Sequence, residues 1–398
     1  MLVLVRYVAL VAACAVVTAC SSPSRTPAAA PTEETRSVSK PDLDQRLIEA
    51  AWADDVPRAR RLIDQGADVN HQDETQQSAY LIAASEGYVE LLGLTIASGA
   101  RIDDKDSFNG TALIRAAERG HADVVGRLVH AGIDLDHVND LGWTALHEAV
   151  ILGEGTETYV DTVRVLVAAG VDVGIPAVRD GLTARQHAEQ KGQADVVATL
   201  ARVDDGTDAD LLAAATDGDP DGAAVALRQG SGLETRDENQ RTPLLLASTH
   251  DRVDVARLLV ALGADPDALD DRHDTPWLVT GVTGSVAMLE ALLPAQPDLT
   301  IRNRYGGVSV IPASERGHVD YVRRVVQTGI DVDHVNDLGW TALLEAVILG
   351  DGTTPYQEIV RLLLDAGADA AIADGDGVTA LEHARSKGQT EVARVLAS

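Results

Sequence analysis

The residues in this chain able to do acid–base, metal or nucleophilic chemistry are its histidines and carboxylates. The 398 residues include 11 His and 62 Asp and Glu against 33 Lys and Arg, a formal charge of −29. The densest grouping is Asp134-Leu135-Asp136-His137-Val138-Asn139-Asp140. A calcium loop needs oxygen ligands at alternating positions followed by Gly, and Val138 breaks that alternation. His121, His147, His187, His318 and His383 are the first suspects for catalysis or metal binding, but no Cys/His cluster accompanies them. Both cysteines, Cys14 and Cys20, fall in the first twenty residues. The rest of the chain has no thiol for a disulfide, a metal or a covalent intermediate. No nucleophile elbow, P-loop or dinucleotide fingerprint is present. Paired carboxylates are as frequent as so acidic a composition makes them, and they support no hydrolase. These residues assign no catalytic group, no metal site and no cofactor.

The charge excludes partners as well. A surface this acidic repels phosphate backbones and anionic headgroups, which argues against nucleic acid. Its complement is a basic protein. Apolar residues make up 45 % of the chain but aromatic residues only 3 %, so Ala, Val and Leu must build the core. Small side chains of that kind suit closely packed short helices.

Self-similarity supplies the organisation. A Gly-apolar-Asp element recurs at Gly66-Ala67-Asp68, Gly132-Ile133-Asp134, Gly263-Ala264-Asp265, Gly329-Ile330-Asp331 and Gly367-Ala368-Asp369. Gly66, Gly99 and Gly132 are 33 residues apart. About ten residues after several of these elements comes Thr-Ala/Pro-Leu, as in Thr144-Ala145-Leu146-His147 and Thr242-Pro243-Leu244. Thr caps a helix whose Leu and Ala face inward, a Gly turn follows, and a second apolar helix ends at the next Gly. No single unit buries its own face, so the units must stack.

The pattern resembles the ankyrin repeat over residues 42–398. The resemblance implies an all-α solenoid of paired antiparallel helices with β-hairpin loops, about eleven repeats long and concave on one side. His121, His147, His187, His318 and His383 then occupy positions where such repeats carry structural histidines. Residues 44–201 also match 241–397 at an offset of 197, slipping to 196 after Asp180. The chain is an internal duplication, with five repeats expected in 42–203 and six in 208–398. Residues 202–208 mark the seam, and Leu43–Asp64 and Asp208–Gly230 read as starting caps.

The first twenty residues, MLVLVRYVALVAACAVVTAC, run from charge through an apolar stretch to small residues, the order of a secretory signal. Val17-Thr18-Ala19-Cys20 is similar to a bacterial lipobox, with Leu10–Cys14 a weaker second choice. The resemblance implies removal of residues 1–19, lipidation of Cys20, and a membrane-anchored protein outside the cytoplasm. Residues 20–41, rich in Ser, Pro, Ala and Thr, read as a flexible tether.

Asp136–Gly153 and Asp333–Gly350 differ at one of 18 positions, His147 against Leu344. By family analogy Trp143 and Trp340 project onto the concave face, with Leu141, Leu338, Asp140, Asp337, Glu148 and Glu345 beside them as partner-binding residues. The expected function is a non-catalytic protein-binding scaffold. The alternatives are a dedicated inhibitor or immunity-type partner of one enzyme or toxin, and a metal- or ligand-binding protein or enzyme using the acidic hairpin loops.

Overall fold

Seven threonines start helices in the same way. Thr111, Thr144, Thr183, Thr242, Thr275, Thr341 and Thr379 are extended at the N-cap, and each hydroxyl accepts the amide three residues on. The computed structural model describes residues 40–204 and 210–397. The signal peptide, Cys20, the tether to residue 39 and most of the 202–208 seam lie outside the described residues.

Ten helices precede the seam: α1 (Lys40–Trp52), α2 (Val56–Asp64), α3 (Ala79–Glu86), α4 (Val89–Ala97), α5 (Ala112–Glu118), α6 (Ala122–His130), α7 (Ala145–Ile151), α8 (Glu157–Ala169), α9 (Ala184–Lys191) and α10 (Ala194–Asp204). Twelve follow it. They are α11 (Leu211–Asp217), α12 (Pro220–Arg228), α13 (Pro243–Thr249), α14 (Val253–Ala261), α15 (Pro276–Thr283), α16 (Val286–Leu292), α17 (Val310–Glu315), α18 (Val319–Val325), α19 (Ala342–Ile348), α20 (Thr354–Asp365), α21 (Ala380–Ser386) and α22 (Thr390–Leu396). Helices this short are unstable alone. Odd-numbered helices pack in one row within each stack and even-numbered helices in a second, outer row. The described residues hold eleven helix pairs, five and then six. The hairpins carry isolated bridges, such as Lys105 with Thr111, and no extended strands are found among the described residues.

The loops explain much of the acidity. Asp68, Asp134, Asp265, Asp298, Asp331 and Asp369 each accept the amide two residues on. Asp103, Asp136, Asp267 and Asp333 accept an amide from the next hairpin. Carboxylates thus satisfy loop N–H groups and join hairpin to hairpin.

The fourth repeat of the first half runs 17 residues from Gly153 to Gly170, against 12 from Gly120 to Gly132, and the longer connection is held by a further device. Lys191 Nζ donates to the carbonyls of Val150, Ile151 and Gly153 at 3.0, 2.7 and 2.6 Å. It closes the C-terminal end of α7 from the next repeat, where a cation also meets the helix dipole. Lys387 repeats this on Val347, Ile348 and Gly350. These are two of the four lysines in the chain.

The second stack does not continue the line of the first. Its α12 lies along α8 and also touches α10, while α14 packs on α6 and α8. The chain folds back, outer row against outer row. Asp208–Gly230 is therefore no free starting cap, because its outer helix is covered by the first stack. Arg164 Nε donates to Asp221 at 2.8 Å, and Arg228 Nη1 to the Val171 carbonyl at 2.8 Å. Arg257 pairs with Glu157 and Asp161. A Cβ built on Gly126 would lie 1.8 Å from the Ala261 carbonyl oxygen, so only glycine permits this approach.

The duplicated copies differ where this interface demands it. Leu258, Ala261 and Leu262 of the second stack are buried, while their counterparts Arg61, Asp64 and Gln65 are exposed. Conversely, Gly126 and Val160 of the covered first-stack face correspond to Arg323 and Gln357.

Two stability outcomes follow. Gly126→Leu should destabilise by about 1–3 kcal/mol through overpacking against α14, whereas Arg323→Leu should have little effect. Lys191→Met should cost about 1–2 kcal/mol, because the Ile151 carbonyl loses this donor while Gln193 Nε2 still holds those of Val150 and Gly153, and Arg should not restore it. Denaturant melts of the full chain measure both.

Candidate protein-binding faces

The 18-residue block repeated in the two halves builds one loop twice. Asn139 Oδ1 accepts the amides of Leu141 and Trp143 at 3.0 and 3.1 Å, and its Nδ2 donates to Glu148 Oε1 at 2.7 Å. Asn336 does the same with Leu338, Trp340 and Glu345 at 3.0, 3.0 and 2.9 Å. The amides of Asp140 and Asp337 donate to the carbonyls of Phe108 and Tyr305 in the preceding hairpin. Their side chains are exposed.

Glu148 and Glu345 therefore do not belong to an exposed contact face. They are 0 % and 5 % exposed and hold the loop from beneath. Their role came from shared sequence position, whereas on a helix the neighbouring positions turn inward. Leu141 is half-buried and Leu338 is 59 % exposed. Trp143 and Trp340 are half-buried, and Trp340 packs against the core cluster. Trp277 is interior, as its place in Thr-Pro-Leu implies, and Trp52 is half exposed.

Exposed residues missed from the sequence complete the faces. Phe108 and Tyr305 occupy equivalent hairpins, and Leu152 and Leu349 end equivalent helices; all four are exposed. A large apolar residue exposed twice at matching positions was a readable signal, though only exposure distinguishes it from core. In the second stack these residues border a concave cleft of about 750 Å³ between α13, α15, α17 and α19, lined by Tyr305, Leu338, Leu349, Glu315 and Glu345 among others.

The histidines join repeats. Nε2–H donates from His121 to the Ser85 carbonyl, from His318 to Val282 and from His137 to Asn109. His147 is buried, with Nε2–H on the Leu182 carbonyl and Nδ1 accepting the Thr144 hydroxyl. Burial pushes its pKa down, favouring the neutral ring this pairing needs. His383 meets Asp374 at 2.7 Å.

The family described as ankyrin repeats (3 copies) matches residues 47–139, 80–177, 157–270, 284–374 and 310–398. The chain belongs to the ankyrin-repeat family. A putative ankyrin repeat protein of Escherichia coli K12 is 39 % identical over 189 residues, covering 94 % of that protein and 47 % of this chain. A mouse ankyrin repeat domain-containing protein is 35 % identical over 98 residues, covering 25 % of that protein and 24 % of this chain. Among solved structures, an ankyrin repeat domain from Acinetobacter baumannii is 44 % identical with a TM-score of 0.46, covering 95 % of that chain and 47 % of this one.

Burial drives the carboxyl of Glu148 up to about 7, and the negative charge of Glu118 adds to it. Burial and Glu315 do the same to Glu345, also about 7, against an ordinary value of 4.5. A raised carboxyl favours folding while protonated, so this contribution is complete below pH about 4.5 and lost as pH rises through about 7. The ankyrin stack should therefore melt lower at pH 8 than its Glu148→Gln/Glu345→Gln variant by about 2 °C or more. The two should converge near pH 4.5, as melting midpoints across the range would record.

Proposed function

We propose that this chain is a non-catalytic protein-binding scaffold, anchored outside the cytoplasm by lipid at Cys20. Ankyrin-repeat proteins act in general as protein-binding scaffolds. One observation supports the reading here: the aromatic and leucine pairs Phe108/Tyr305 and Leu152/Leu349, with Leu338, remain exposed at equivalent places after the halves have diverged. Exposed apolar residues set among charged ones are the usual composition of a contact patch. The anchor reading is supported by the order of the first twenty residues and the small residues before Cys20. No helix among the described residues is long and apolar enough to cross a membrane.

In native cells, in-cell cross-linking followed by mass spectrometry should recover a defined protein partner. Leu338→Asp should reduce that recovery about tenfold or more while shifting stability by no more than about 0.5 kcal/mol. An unfolded Leu338→Asp protein, or unchanged recovery, would place the contact elsewhere. Cys20→Ser should abolish lipid labelling and release the chain from membranes; continued labelling would move the lipid to Cys14.

A further inference from the structure

The two stacks treat one internal position in opposite ways. In the first, Arg115 of α5 lies under the hairpin, its side chain only 18 % exposed, pairing with Asp106 and with Glu118 at 2.7 Å. A Cβ on Gly110 would meet the guanidinium at 3.1 Å, so the group fills the space behind that loop. In the second stack, Pro312 stands where the first has Arg115, and Asn303 where it has Asp106. Both members of the ion pair are gone. Behind Gly307 the nearest atoms are Asn303 Oδ1 and Ile311 Cδ1, at 3.5 and 3.6 Å.

Of the carboxylates near the guanidinium, Glu118, which pairs with it, and Glu148, which does not, have acidic counterparts. Glu315 replaces Glu118, and Glu345 replaces Glu148. Both line the open cleft of about 750 Å³. Glu345 is 5 % exposed, and Asn336 Nδ2 donates to its Oε1. Among the described residues no cationic side chain lies within the 4.0 Å of an ion pair with it. Three of the cleft's four arginines pair away from Glu345 and Glu315, and the fourth, Arg316, is held by Glu315 itself. Arg241 pairs with Asp237 at 2.7 Å, Arg304 and Arg272 with Asp274 at 3.2 and 4.0 Å, and Arg316 with Glu315 Oε2 at 2.8 Å. Tyr305, Leu338 and Leu349 rim the cleft and suit the aliphatic stem of a long side chain.

We propose that the cleft of the second stack receives a basic side chain, arginine or lysine, from the bound protein, its cation meeting Glu345 beside the place that Arg115 fills in the first stack. The proposal rests on the scaffold reading and names the chemistry of its partner. A buried carboxylate without a cation is costly, and a charge-assisted hydrogen bond from a partner relieves that cost on binding. In the first stack the guanidinium of Arg115 fills the space behind the loop, paired with Asp106 and Glu118, although Glu148 itself has no ion-pair partner among the described residues. The two stacks thus differ at this place: a guanidinium of the chain fills it in the first, and Pro312 leaves it without one in the second.

Acetyl-arginine-amide and its uncharged equivalent acetyl-citrulline-amide test this directly, titrated at pH 8 into the full chain and followed by amide chemical shifts. The arginine amide should bind about tenfold more tightly or better, with shifts at Asn336, Glu345 and Glu315. Glu345→Gln should remove the difference between the two amides. Pro312→Arg, which supplies the guanidinium internally, should weaken arginine-amide binding about tenfold, while Pro312→Gln should not. Equal binding of the two amides, or undiminished binding to Glu345→Gln or Pro312→Arg, overturns the proposal. Failure of these titrations with Leu338→Asp still losing its partner would reject the cation pocket and leave the scaffold reading standing. Success with Leu338→Asp retaining its partner would instead keep the pocket and move the contact.

Discussion

Each helix pair in this protein carries an apolar stripe that it cannot cover alone. Helices of seven residues, such as α5, α13 and α19, owe their stability to neighbours on both sides. The interior is accordingly Ala, Val and Leu at close range, with Ala83, Ala116, Ala247 and Ala313 fully buried. Stacking then sets the positions of everything else. Thr caps start the inner helices on one line, and the hairpins fall into register so that an Asp in one can accept an amide from the next.

That register uses carboxylates as loop acceptors, which accounts for part of an acidity that composition alone reads as charge. Asp136 and Asp333 each hold the amide of a residue 36 positions later. The histidines act similarly from the turns, with His121 and His318 reaching back to the preceding repeat. Polar groups that resemble candidate ligands are committed to the backbone. Glu345 is the contrasting case: it keeps the structural bond to Asn336 but has lost the arginine its copy retains nearby.

Duplication by itself would produce two equivalent stacks, and the fold-back makes them unequal. Once α12 and α14 lie on α6 and α8, one outer face of each copy must be apolar and closely approached while its counterpart stays in water. Gly126 and Leu258 meet that demand, and Arg323 and Arg61 mark the faces released from it. Because the outer rows are joined, the two inner rows are kept apart.

The repeat period, the Thr caps, the duplication and the structural histidines were legible in the sequence because each is a local pattern with a local cause. A cap needs Thr beside its own helix, and a left-handed turn needs Gly at its own position. The repeated loop was legible too, and Leu338 within it is exposed. Glu148 and Glu345 were misplaced because adjacency in sequence does not say which side of a helix faces solvent. The fold-back and the three carbonyls gathered by Lys191 depend on residues 38 to 167 positions apart meeting in space. Such meetings are decided by burial, which only the tertiary structure determines.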